Sequence, residues 1–273
     1  MISPGQRIAI IAGRGTLPAL AAAELEAPFV AALEGFAPEG VAPDVFFRVE
    51  RLAPFLDHLR DQGVGQVLFA GAVQRPRLDP ALFDAATAQL VPRLLPALQG
   101  GDDALLRAVI GVFEDWGFQV IGVDQVAPDL VPGPGVLCGM VTPGDERDAA
   151  RAAILTAALG PLDVGQGCVV AQGLCLAIET LPGTDAMLDF VARSATGLRP
   201  DPKGTRGLLY KAPKPGQDRR IDLPAIGPAT VARAAEAGLG GIAWAAGGVL
   251  LLDRAATVAA ASAAGLFLWA REP

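Results

Sequence analysis

The chain has 273 residues, 52% hydrophobic and 19% charged, with a formal net charge of -7. Such a chain can bury a sizeable core, which excludes general disorder, and its length suits two medium domains. The acidity argues against a broad nucleic-acid surface but permits a local basic pocket. Mean hydropathy is positive, at +0.41, yet charges interrupt every long apolar run and no segment reads as a spanning helix. The start, Met1 to Arg7, lacks a basic region followed by an apolar stretch, so a cytosolic location is expected.

In chain order, a strand is expected from Ile8 to Ala12, a helix from Leu17 to Glu26, a strand from Phe29 to Leu33, a helix near Leu52 to Gln62 and a strand from Val67 to Ala70. This rhythm predicts βα repetition with a mostly parallel, Rossmann-like sheet. Longer helical patterns follow from Pro80 to Leu98 and from Ala104 to Trp116, the second with Leu105, Val109, Val112, Phe113 and Trp116 on one face. Phe118 to Val123 closes this half as a strand. The densest Pro/Gly run, Pro128 to Gly135, marks a boundary, giving an N-terminal domain over 1–132 and a C-terminal domain over 133–273. The second half predicts a helix from Glu146 to Leu159 and a hairpin of Cys168 to Ala171 and Leu174 to Glu179 across Gln172-Gly173. A helix from Ala186 to Arg193, the run Gly207 to Ala212 and a helix from Pro228 to Ala237 come next. Strands near Gly241 to Trp244 and Val249 to Leu252, a helix from Ala255 to Ala264 and a strand from Leu266 to Trp269 complete a mixed α/β domain.

Several loops could carry chemistry. After the first strand, Gly13 and Gly15 would let a ligand approach the backbone, with Thr16 as a cap and Leu17-Pro18 opening a helix. The third Gly of a dinucleotide fingerprint and the Lys-Ser/Thr of a P-loop are missing, so nicotinamide or ATP binding is not supported. Gly71 and Arg75 follow the strand ending at Ala70 and would face the same crevice, Arg75 meeting phosphate or solvent. Asp102 or Asp103 would cap the helix after Gly100-Gly101, leaving the other for a ligand hydroxyl or metal. Gly165 with Gln166, and Thr184 with Asp185, offer polar backbone at element ends, either as ligand loops or as ordinary turns and caps.

The strongest segment runs from Lys211 to Gly227. The chain's only lysines, Lys203, Lys211 and Lys214, fall within twelve positions, among 22 Lys and Arg in all. A compact ammonium suits phosphate as a point charge. Asp222, stiffened by Pro224 and beside Ile221, is the candidate carboxylate for orienting water or binding Mg²⁺. His58, the single histidine, reads as a solvated helix residue, so a His-dependent triad or metal cage is not expected. The cysteines Cys138, Cys168 and Cys175 form no CxxC pair and read as reduced, mostly buried thiols.

Taken together, the runs Ile11 to Pro18, Phe69 to Pro76, Gly101 to Arg107, Asp163 to Val170, Glu179 to Leu188, Lys211 to Asp218 and Asp222 to Gly227 resemble the LpxI family. These are UDP-2,3-diacylglucosamine pyrophosphatases of lipid A biosynthesis, and the resemblance covers essentially the whole chain. Arg14 stands where the family usually has a Gly. The resemblance implies two domains with the ligand cleft between them, a requirement for Mg²⁺ or a similar divalent ion, and the products UMP and 2,3-diacylglucosamine 1-phosphate. It implies an essential role for Asp222, as metal ligand or water activator, and attack of water on the lipid-sugar side. Lys211 and Lys214 would stabilise diphosphate charge, while Gly13, Gly15, Leu17, Gly71, Arg75, Asp102, Gly165, Gln166, Thr184 and Asp185 carry over as substrate contacts. By analogy the chain would form a homodimer and touch the inner-membrane surface transiently through its amphiphilic substrate. The rival readings are a nucleotide-sugar transferase and a non-catalytic carrier of a nucleotide-linked lipid.

Overall fold

The first apolar run forms strand β1 (Arg7–Ala12), buried from Ile8 onward. A parallel strand covered on both faces reads as an unbroken apolar run for this reason. The computed structural model describes residues 6–74, 77–99 and 102–272, except the side chains of 98, 99, 102, 103 and 196. The chain divides into two units: one runs to Pro128 and includes Asp218–Asp222, and the other holds Asp129–Gln217 and the residues from Leu223 onward. The sequence division at 132/133 keeps 218–222 with the second domain, whereas their packing is with the first unit.

In the first unit β1 is followed by α1 (Leu17–Ala23), β2 (Phe29–Leu33), β3 (Val45–Phe47), α2 (Leu52–Asp61) and β4 (Val64–Ala70). Then come α3 (Ala85–Ala88), α4 (Val91–Gln99), α5 (Asp102–Asp115), β5 (Gln119–Ile121) and α6 (Val123–Val126). The five strands are all parallel, in the order β3-β2-β1-β4-β5. This is the Rossmann-like sheet expected. Leu52, Phe55, Leu56 and Leu59 of α2 and Ile110, Val112 and Phe113 of α5 pack on Val67 and Val120 in its core. Each such side chain stabilises by about 1.5–3 kcal/mol on burial, which fixes both helices against the sheet.

The expected helix from Pro80 to Leu98 is broken. The Asp84 carboxylate accepts from the Ala86 and Thr87 amides, each at 2.9 Å, and from Thr87 Oγ1 at 2.6 Å. That cap restarts the helix at α3, and α4 is a separate element with Pro96 inside it. Val123, expected in a strand, opens α6. His58 is exposed, its ring edge against Phe29.

The second unit contains β6 (Gly135–Cys138), α7 (Pro143–Leu159), β7 (Gly167–Ala171), β8 (Leu174–Ile178), α8 (Gly183–Ser194), β9 (Leu208–Lys211) and β10 (Ala225–Ile226). It continues through α9 (Pro228–Glu236), β11 (Gly241–Ala245), β12 (Leu250–Leu251), α10 (Arg254–Ala263) and β13 (Phe267–Arg271). Its six-stranded sheet has the order β6-β13-β11-β9-β7-β8, with β10 and β12 as a separate pair. Strands β9, β11 and β13 run parallel, while β6, β7 and β8 pair antiparallel with their neighbours, so the sheet is mixed. β6 was not expected; it is a short edge strand drawn from the Pro/Gly boundary run. The β7–β8 turn places Gln172 at φ 52° and Gly173 at φ 79°, the positive pair that a two-residue hairpin turn demands.

Helix α7 begins at Pro143 rather than Glu146, because Thr142 and Asp145 form a capping box and Pro is compatible with the first helical position. Cys168 is buried, which pushes its thiol up to about 12. Cys138 is half-buried, and Cys175, expected inside, is exposed on the edge strand β8.

A buried carboxylate secures the hairpin. Asp148 of α7, 1% exposed, accepts from the amides of Gln172 at 2.9 Å and Gly173 at 2.7 Å and from Thr205 Oγ1 at 3.0 Å. Asp148→Ala strands these donors and is expected to destabilise the protein by about 2–4 kcal/mol in urea unfolding. A loss near zero would show that the hairpin does not depend on it.

Candidate functional site

In the first unit, neighbouring strands β1 and β4 end together at Ala12 and Ala70, so the loops after them leave from one sheet edge. The Gly13 amide donates to Ala70 O at 2.8 Å, and Arg14 and Ala72 exchange two backbone bonds at 2.9 and 3.0 Å. A Cβ on Gly13 would lie 2.6 Å from Ala72 O, and one on Gly71, whose φ is 96°, would lie 2.7 Å from Gly13 O. Close approach of two backbones therefore accounts for these glycines. Gly15, at φ 90°, has nothing within 4 Å of the place a Cβ would take and leaves the backbone open to an approaching group. Leu17 opens α1 half-buried, and Thr16 precedes it without a side-chain capping bond. The Arg14 guanidinium turns away to Gly35 O at 2.8 Å and over the Phe36 ring. Arg75 lies outside the described residues, and so does the side chain of Asp102, which begins α5.

The segment Asp218–Asp222 lies at the end of β5, where Arg220 Cα comes within 3.5 Å of the position a Cβ on Gly122 would take. Ile221 packs against the first unit's core. Arg220 donates in a fork to Asp218, Nε to Oδ1 at 2.9 Å and Nη2 to Oδ2 at 2.6 Å, and its Nη1 reaches Glu114 Oε1 at 2.7 Å. Asp222, half-buried, thus stands at the carboxyl edge of a parallel sheet, where open α/β folds bind ligands.

In the second unit Lys211 ends β9 and is 5% exposed. Its Nζ donates to Thr184 Oγ1 at 2.7 Å and Ala225 O at 3.4 Å, and stands 3.9 Å from Glu179 Oε2. Helix α8 starts at Gly183, not Ala186, and has no side-chain cap. Thr184 and Asp185 are therefore first-turn residues: Thr184 accepts from Lys211, and Asp185 faces Arg233 Nε of α9 at 3.3 Å. Lys214 is paired with Asp163. Gln166 offers its carbonyl to the Ala212 amide at 2.9 Å.

Glu179 is a candidate residue beside Lys211 that the sequence did not single out. Its amide donates to Gly167 O at 2.8 Å. A Cβ on Gly167 would lie 2.7 Å from Glu179 Oε2, and one on Gly165 would lie 2.0 Å from Glu179 O. The glycines expected to form a ligand loop are thus spaced around this residue. Glu179 Oε2 is buried and has no hydrogen-bond partner among the described residues. An unpaired buried acceptor costs about 1–3 kcal/mol and calls for an explanation.

Lys203 departs from its two companions. It lines a cavity of about 650 Å³ with Arg206, Gly240 and Phe267, at the amino ends of β9, β11 and β13, the opposite edge from Lys211. Polar groups there are satisfied internally, Arg206 by Gly265 O at 2.8 Å and Thr205 by Asp148 at 3.0 Å.

Residues 7–130 match the LpxI N-terminal domain, and residues 134–269 match the LpxI C-terminal domain. The chain belongs to the LpxI family. A protein of Caulobacter vibrioides named UDP-2,3-diacylglucosamine pyrophosphatase LpxI is 40% identical over 276 residues, spanning 98% of each chain. Within the family's C-terminal domain sequence, Asp218–Asp222 is the piece that packs in the first unit.

The Arg220 fork holds the Asp218 carboxyl below its ordinary value of 3.8. A carboxyl depressed on folding contributes stability above its unfolded pKa and loses it as pH falls through the folded one. Asp218→Asn is therefore expected to cost about 1 kcal/mol near neutral pH, with the guanidinium partly in solvent. The difference from the unchanged protein should close as pH falls below 3.8. Urea unfolding of both forms across pH measures it, and a gap that persists in acid would refute the assignment.

Proposed function

We propose that this chain hydrolyses the pyrophosphate bond of UDP-2,3-diacylglucosamine, releasing UMP and 2,3-diacylglucosamine 1-phosphate for lipid A biosynthesis. The observation that carries the reading is likeness along 98% of the chain to a pyrophosphatase of that name. Water attacks the phosphorus on the lipid-sugar side; a new P–O bond forms, and the bridging oxygen leaves with UMP. Lys211 and Lys214 supply positive charge for the diphosphate oxygens, and Asp222 supplies the carboxylate that orients the water or carries a divalent ion.

A divalent ion such as Mg²⁺, when bound, would neutralise charge on the reacting diphosphate. Mg²⁺ is commonly held by one or two carboxylates plus substrate phosphates rather than by a protein cage. Asp222 is the carboxylate that would hold it together with the substrate phosphates, while Asp218 is engaged by Arg220.

Gly15, Leu17, Gln166, Thr184 and Asp185 remain proposed substrate contacts, with Arg75 and Asp102. An amphiphilic substrate also needs apolar surface. Leu162, 70% exposed, adjoins Asp163, and Leu181, 93% exposed, lies just before Thr184. These leucines support transient contact with acyl chains at a membrane surface. No described helix is long and apolar enough to cross a membrane.

Incubation with UDP-2,3-diacylglucosamine and Mg²⁺ in ¹⁸O-water, with mass analysis of both products, is expected to place the label in the lipid phosphate. Label in UMP would overturn the direction of attack, and no release with any of several divalent ions would overturn the hydrolase reading. Asp222→Ala should lose turnover by about 10²–10⁴-fold while still binding the substrate. A carrier would instead keep its function in that variant.

A further inference from the structure

Three buried or half-buried carboxylates of this protein show what a structural role looks like. Asp148 has its oxygens on two amides and a hydroxyl, Asp218 has both on Arg220, and Asp145 closes the capping box of α7. Glu179 does none of this. Its backbone is tied to Gly167, but its Oε2 is buried, bonds to no group among the described residues and faces the Lys211 ammonium at 3.9 Å. A Cβ at residue 167 would stand 2.7 Å from that oxygen and 3.1 Å from Tyr210 O.

We propose that Glu179 is a positioning residue for Lys211, its carboxylate drawing the ammonium into place without bonding it, so that Lys211 can turn toward an arriving diphosphate. The separation supports this division. At 3.9 Å the attraction between opposite charges in a site this shielded is strong, while Glu179 Oε2 itself stands beyond hydrogen-bond reach of the ammonium. Thr184 Oγ1, at 2.7 Å, provides the bonded side of the cradle. One of these two partners is neutral and the other negative, and the close approach of Gly165 and Gly167 to Glu179 accompanies the negative one.

The inference rests on the pyrophosphatase reading, and the test separates the two. In the unchanged protein, release of UMP reports on the reading itself. Glu179→Gln keeps the shape and removes the charge; kcat is expected to fall by about 10–100-fold while KM changes by less than about threefold. If Glu179 acts through Lys211, the same substitution made in Lys211→Met should cost less than about twofold more. A kcat within twofold of the unchanged protein, or losses that multiply in the double variant, would overturn the proposal. Thermal unfolding of each variant checks the fold. Should Glu179→Gln fail to fold, Glu179→Asp retains the charge but withdraws it from the ammonium, and unaltered turnover in that variant would be equally decisive against it.

Discussion

A buried ammonium has to be neutralised, and much of the second unit's local structure follows from that constraint at Lys211. Removing such a charge from water costs several kcal/mol unless partners compensate it. Separate elements contribute to the compensation: the first turn of α8 brings Thr184, β10 brings the Ala225 carbonyl, and the end of β8 brings Glu179. The early start of α8 at Gly183 and the absence of side chains at Gly165 and Gly167 are the local conditions that let these groups converge. A β-strand ending in lysine thereby becomes an anchored charge rather than a solvated one.

The strand–helix rhythm of the first half was legible because parallel strands and amphipathic helices write their burial directly into apolar spacing. Ile8 to Ala12 and the α2 stripe are examples. Elements that depend on a distant partner were not. β3 and β6 are short edge strands with little apolar signature of their own, and Asp84 breaks a helical pattern through a cap that composition alone does not distinguish from a surface carboxylate. Glu179 shows the limit most clearly. The Gln172-Gly173 turn was readable, but counting the hairpin residue for residue sets Gly167 against Ile178. The register shift between Val169 and Val170 moves the pairing by one, so that Cys168 meets Ile178 and Glu179 bonds to Gly167. A bulge of this kind re-aims side chains on the strand that carries it, and nothing in the run Leu174 to Glu179 announces it.

The segment from Lys211 to Gly227 reads in the sequence as one cation- and carboxylate-bearing run, but its packing was not legible. Residues up to Gln217 belong to the second unit, the five from Asp218 to Asp222 to the first, and the chain then returns at Leu223. Ordinary physics helps to hold the excursion: Ile221 packs on the first unit's core, and the Arg220 guanidinium is shared by Asp218 and Glu114. The proposed catalytic carboxylate is therefore positioned by the sheet edge of the first unit, although the family's domain pattern counts it in the second.

The scarcity of lysine acquires a physical meaning from these contacts. Where this protein uses arginine around carboxylates, the geometry is planar: Arg220 forks onto Asp218, and Arg233 spans Asp185 and Asp189. A guanidinium fits such pairs because its donors lie in one plane. Around Lys211 the hydroxyl, the carbonyl and the carboxylate come from different elements and converge on one nitrogen. A tetrahedral ammonium on a narrow stem can serve them, and a planar fork of greater width cannot. Lys203, exposed at the opposite sheet edge, meets no such demand, so lysine enrichment marks a segment of the sequence, while convergence of acceptors on one nitrogen distinguishes Lys211 within it.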